Sequence, residues 1–74
     1  MKELIERLLK EHEELTLKIY KLTIFVGTEK FFKLSLIEQD MVKNQLFYMM
    51  KYEKILKRRI KFYRDRNENN ENNS

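Results

Sequence analysis

His12 is the only histidine in this 74-residue chain, and it falls on an otherwise apolar seam where leucine or isoleucine would pack. A flat imidazole there can face a pocket at a subunit contact, stacking on a base or bonding a phosphate. It can equally fix helix register, as a buried asparagine does in coiled coils. Arg59 stands on a second apolar stripe. A guanidinium on a packed face forks onto a phosphate or onto a carboxylate of another helix. Gly27-Thr28-Glu29-Lys30 forms a corner where a turn meets a new helix start. The free amides of such a corner can cradle a phosphate, with Thr28 and Lys30 adding donors, although many hairpin corners share this chemistry. Tyr48 and Tyr52 lie one turn apart beside Lys51. Aromatics interleaved with cations can stack bases, but rings at helical spacing are more often core. Met41, Met49 and Met50 suit the filling of gaps.

Little else can do chemistry. Cysteine is absent, which removes thiol catalysis, disulfides and thiolate metal sites. There are two aspartates, Asp40 and Asp65, and one glycine, so no glycine-rich phosphate loop exists. A carboxylate-bridged metal bundle needs Glu three residues before His; Leu9 occupies that position relative to His12. The chain is expected to be no enzyme, with no catalytic residue, no metal and no cofactor.

Two helices must position these groups. Proline is absent, Gly27 is the single glycine, and heptad-spaced apolar residues run on both sides of it. Ile5, Leu8, His12, Leu15, Ile19, Leu22 and Val26 are spaced 3, 4, 3, 4, 3, 4, a coiled-coil-type seam that predicts a helix over residues 2–26. Leu4, Leu9 and Phe25 widen it. Gly27 is expected to end this helix in the left-handed conformation that glycine adopts at least cost. Thr28 then caps a short turn of helix with Phe31, Phe32 and Leu34 as its apolar plug. Ser35-Leu36-Ile37-Glu38 fits a capping box, opening a helix over residues 36–64. This second helix carries two neighbouring stripes. One is Met41, Gln45, Tyr48, Tyr52, Ile55, Arg59 and Phe62; the other is Val42, Leu46, Met49, Glu53, Leu56, Ile60 and Tyr63. One stripe can cover the first helix, and the other needs a further partner.

The fold class is therefore all-α: a helical hairpin of long helix, short connection and long helix, assembling into a homo-oligomeric bundle. Residues 1–66 form the hairpin domain. Residues 67–74 contain only Asn, Glu and Ser and are expected to be a disordered polar tail. A core this small rarely folds without a staple or self-association. The charged start of the chain does not fit a signal peptide. No apolar run approaches the ~20 residues that cross a bilayer, so no membrane partner is expected.

The formal charge of +4 is concentrated in residues 51–66, where Lys51, Lys54, Lys57, Arg58, Arg59, Lys61, Arg64 and Arg66 face only Glu53 and Asp65. A basic end attracts nucleic acid, nucleotides or an acidic surface. Cations near a helix C-terminus also offset the macrodipole with no partner at all.

The chain resembles the phage anti-CBASS cyclic-oligonucleotide sponges, small helical proteins that sequester bacterial immune second messengers. The resemblance rests on Glu11-His12-Glu13-Glu14-Leu15, Lys21-Leu22-Thr23-Ile24-Phe25-Val26, Phe32-Lys33-Leu34, and the run from Glu38 to Leu46. It continues through Met49, Tyr52, Leu56 and Arg59-Ile60, with matching lengths between the pieces. It implies a compact homohexamer in the cytoplasm of the infected bacterial host. Cyclic dinucleotides would bind between paired subunits, and a second class of pocket around the three-fold axes would take cyclic trinucleotides. The base-stacking aromatic of the family falls on His12, a lysine near the first helix exit on Lys30 with Thr28 beside it, and an Arg-Ile pair on Arg59. Two other functions fit the residues alone. One is a non-enzymatic hairpin that regulates a protein partner by helix-in-groove contact. The other is a basic hairpin that binds long nucleic acid with steep salt dependence; the resemblance ranks it lower.

Overall fold

The computed structural model describes the backbone of residues 1–72 and the side chains of residues 1–67. Three helices follow in order: α1 (Lys2–Val26), α2 (Glu29–Phe32) and α3 (Leu36–Asn72). The long pair lies antiparallel in a rod 59 Å long and about 15 Å across.

The end of α1 differs from the expected left-handed stop. Gly27 has φ −91° and ψ 2°. Its amide donates to the Ile24 carbonyl and the Thr28 amide to that of Phe25, both at 3.0 Å. The helix thus closes by tightening its last turn, which satisfies carbonyls that would otherwise be orphaned. Thr28 then begins α2. Its Oγ1 accepts from the Phe31 amide at 3.3 Å and donates to the Phe25 carbonyl at 2.6 Å, so one hydroxyl ties the exit of α1 to the entry of α2.

Of the expected plug, Phe31 alone is fully buried; Leu34 is half-buried and Phe32 is exposed. The Phe31 ring meets Phe25 edge-on, with centroids 5.9 Å apart and planes at 83°. The Lys43 ammonium from α3 lies 5.8 Å from the Phe31 ring centroid, within cation–π range.

Ser35 opens α3 by accepting from the Glu38 amide at 3.2 Å. The other half of the capping box is replaced. Gln39 sends its amide group to the carbonyls of Leu34 at 2.9 Å and Phe32 at 3.3 Å. The helix passes Arg64, where the apolar spacing ends it, and continues to Asn72. With no Gly or Pro to interrupt it, the backbone keeps its hydrogen-bond ladder beyond the last apolar residue. The polar-tail expectation for residues 67–74 falls partly outside the described residues.

The core is a strip between α1 and α3. Leu8 and Leu15 pack with Leu56 and Ile60, bordered by Leu4, Leu9, Ile19, Met49 and Tyr63. The stripe running from Val42 to Tyr63 is the inner face of α3, and every residue of the stripe from Met41 to Phe62 is exposed. Burying one leucine stabilises by about 1.5–3 kcal/mol. With Ile5 and Phe31 completing the buried set, a single copy has few such contributions.

Candidate functional site

His12 reaches inward at mid-rod. Its Nε2 lies 2.6 Å from Glu53 Oε2. An ionised carboxylate only accepts, so the ring donates. Lys57 approaches the same Glu53 oxygen at 3.7 Å, one turn further along α3. The hydrogen bond from His12 comes first among the causes that hold the Glu53 carboxyl below its ordinary range, with the Lys57 charge assisting against partial burial. Beside this bridge the Tyr52 hydroxyl donates to Glu11 Oε1. That bond is the main reason the Tyr52 phenol loses its proton less readily than usual. Two adjacent polar links therefore join α1 to α3, and the imidazole has committed one nitrogen to holding the hairpin.

The corner separates its two candidates. Thr28 is half-buried and engaged at both ends of its hydroxyl. Lys30 is exposed on α2, and among the described residues its ammonium forms no ion pair. A four-residue helix offers little dipole to an anion, so Lys30 is the group there with charge to give.

Arg59 is exposed on the stripe of α3 next to the core stripe, far from the corner along the rod. It lines an open hollow of about 590 Å3 with Ile55, Arg58, Lys61, Phe62, Tyr63 and Asp65. Its positive charge is felt by the Tyr52 phenol two turns earlier. Among the described residues, neither Arg58, Arg59 nor Lys61 forms an ion pair. His12, Thr28, Lys30 and Arg59 thus form no common cluster in one copy: His12 is at mid-rod, Thr28 and Lys30 are at the corner, and Arg59 lies further along α3 than Glu53, the partner of His12.

A second hollow, of about 730 Å3, lies on α1 between Lys10, His12, Glu13, Glu14, Thr16, Leu17 and Tyr20. A third, of about 280 Å3, bridges the helices through Lys18, Lys21, Leu22, Phe25, Gln45 and Met49. Leu17, Tyr20 and Ile24 form an exposed apolar row on α1 that the heptad seam does not include. Their spacing of 3 and 4 was the available signal, masked by the stronger inward pattern. Among the described residues no group of three or more His, Cys, Asp or Glu could hold a metal ion, and no helix is long and apolar enough to cross a membrane.

The Sequestin family model matches residues 2–62. This chain belongs to the Sequestin family. The matched segment contains His12, Thr28, Lys30 and Arg59 and both faces of the hairpin; it stops before Tyr63 and the last turns of α3. The Sequestin match thus spans both long helices and the corner between them rather than one motif. The chain matches none of the curated proteins and none of the solved structures.

Proposed function

We propose that this chain is a phage anti-defence sponge. It binds cyclic oligonucleotide second messengers, cyclic dinucleotides and cyclic trinucleotides, and withholds them from CBASS-type effectors without cleaving them. Membership of the Sequestin family carries this proposal. Binding without turnover suits a protein of cations, rings and helices. The chain is not an enzyme and requires no cofactor.

The working form is a closed homo-oligomer, a hexamer, in the cytoplasm of the infected bacterial host. Exposed apolar side chains on two faces support self-association. Met41, Tyr48, Tyr52, Ile55 and Phe62 run along α3, and Leu17, Tyr20 and Ile24 along α1. Apolar stripes of this extent on so small a protein mark contact surfaces. Symmetry also brings together residues that one copy keeps apart. His12, Thr28, Lys30 and Arg59 are the ligand-binding residues of this proposal, with Lys30 and Arg59 supplying charge and His12 a ring face.

The test is calorimetric titration of the purified chain with cyclic dinucleotides, cyclic trinucleotides and cyclic ADP-ribose, with the mass in solution measured alongside. A defined stoichiometry on an oligomer, and recovery of intact ligand after denaturation, are the expected results. Binding of cyclic ADP-ribose alone would move the ligand to pyrophosphate-bridged nucleotides. Turnover of any ligand, or binding only to long RNA with a steep salt slope, would overturn the sponge.

A further inference from the structure

We propose that Glu53 is a positioning residue of the ligand site: it accepts the Nε2–H of His12, fixes the tautomer and orientation of that ring, and leaves Nδ1 as a bare acceptor for an N–H or O–H donor of the nucleotide. This rests on the sequestering function proposed above and names a contact within it.

The geometry across the two long helices carries this role. His12 Nε2 and Glu53 Oε2 are 2.6 Å apart, a short, charge-assisted contact. In a neutral imidazole one nitrogen donates and the other accepts, and the bond made by one decides the state of the other. Glu53 stays ionised to serve as the acceptor. The His12 bond first, and the Lys57 charge with it, hold its carboxyl below the ordinary range. The adjacent carboxylate does not compete, since Glu11 accepts from the Tyr52 hydroxyl. That second link also holds the same stretch of α1 against α3. Among the described residues Nδ1 of His12 forms no hydrogen bond, whereas Nε2 is engaged.

The ring is also within reach of a ligand. Its side chain is 24% exposed, and it lines the hollow of about 730 Å3 on α1, a size inside the range usual for ligand sites. A bare Nδ1 repels a phosphate oxygen and takes a donor, which on a nucleotide is a base amine or a ribose hydroxyl. Glu13 and Glu14 line the same hollow and are acceptors as well, so its chemistry suits the base and sugar side of a ligand. Without Glu53 the ring would turn about its side-chain bonds and exchange tautomers, and the donor would lose a fixed partner.

The experiment follows the imidazole nitrogens of the isotopically labelled full chain by NMR at mildly alkaline pH, where imidazole is ordinarily neutral. Cyclic di-AMP, cyclic di-GMP and cyclic GMP–AMP are added in turn, and their affinities are measured by calorimetry. His12 should appear as the Nε2–H tautomer, and ligand should shift Nδ1 more than Nε2. Glu53→Ala should mix the tautomers and weaken binding about tenfold, the worth of one hydrogen bond. In a His12→Ala background it should change nothing further. The 2′-deoxy analogue of each ligand removes the hydroxyl, and the inosine analogue removes the amine; one of the two should leave Nδ1 unmoved. Movement by both would overturn the acceptor role. Mixed tautomers in the wild type, or an equal loss from Glu53→Ala with and without His12, would overturn the positioning while the sponge stands. No binding of any of the three ligands by the wild-type chain would overturn both. If Glu53→Ala loses helix content by circular dichroism, the wild-type tautomer and the two analogues decide alone.

Discussion

His12 Nε2 and Glu53 Oε2 meet at 2.6 Å across the two long helices, and Glu53 is the only carboxylate on the inner stripe of α3. The pair fixes which of the two stripes faces α1. Rotating α3 to bring the neighbouring stripe inward would pull Glu53 away from its donor and set Arg59 towards the apolar seam.

Replacing His12 by Ala leaves Glu53 with Lys57 alone. A hydrogen bond to a charged group contributes about 1.5–3 kcal/mol, and chemical denaturation of His12→Ala should show a loss of that size. The pH dependence has a definite sign. Glu53 binds its proton less readily in the folded chain than in the unfolded one, so its contribution is complete above the ordinary value of 4.5. It is lost as the pH falls through the depressed folded value. The difference between wild type and His12→Ala should shrink as Glu53 protonates; a constant difference would detach His12 from Glu53.

Gly27→Ala should be neutral or stabilising by up to about 1 kcal/mol. Gly27 has negative φ, and a Cβ there would lie 3.5 Å from the Ile24 carbonyl oxygen, an ordinary contact. A thermal melt that falls by several degrees would show that the corner needs glycine after all.

Leu56→Ala should cost about 2–5 kcal/mol, because its side chain is 0% exposed between the helices. Ile55→Ala, one residue earlier and half exposed, should leave a dilute single copy nearly unchanged. If the outer face of α3 is a subunit contact, Ile55→Ala should instead lower the mass in solution or make stability depend on concentration.

Tyr52→Glu should disrupt both the outer face and the neighbouring link, since it places a second carboxylate against Glu11. Sedimentation should report smaller particles. Glu11→Gln is a milder probe. It removes the charge on the acceptor that makes Tyr52 hold its proton, so the phenol should ionise at lower pH, as followed by NMR.

Much of this fold was legible in the spacing of residues. The seam of α1 placed Ile5, Leu8 and Leu15 in the core, where they are buried. Both stripes of α3 were visible as well. Which stripe turns inward was not read from spacing, although Val42, Leu46, Met49, Leu56 and Ile60 on one stand against Gln45, Tyr48, Tyr52 and Arg59 on the other; the link from His12 to Glu53 agrees with that difference. The left-handed exit at Gly27 was misjudged for a local reason. Glycine permits that conformation without requiring it, and amide bonds to the Ile24 and Phe25 carbonyls close the helix at negative φ. Phe32 looked like core beside Phe31, but a single turn of helix can turn only one of two adjacent rings inward. At the site, the charge run in residues 51–66 was plain from composition. The engagement of Lys57 is an i,i+4 contact with Glu53 inside α3, which spacing contains but a count of charges does not.

Leu56 and Phe31 are the largest side chains wholly removed from solvent in the single copy, and this shapes its thermal behaviour. Unfolding such a rod newly hydrates little apolar area, so its heat-capacity increment is small and its stability curve nearly flat. Heat alone should melt an isolated copy gradually, over a wide span of temperature. A sharp calorimetric peak would then be the signature of something clamping the helices together, whether neighbouring copies or a nucleotide held between them.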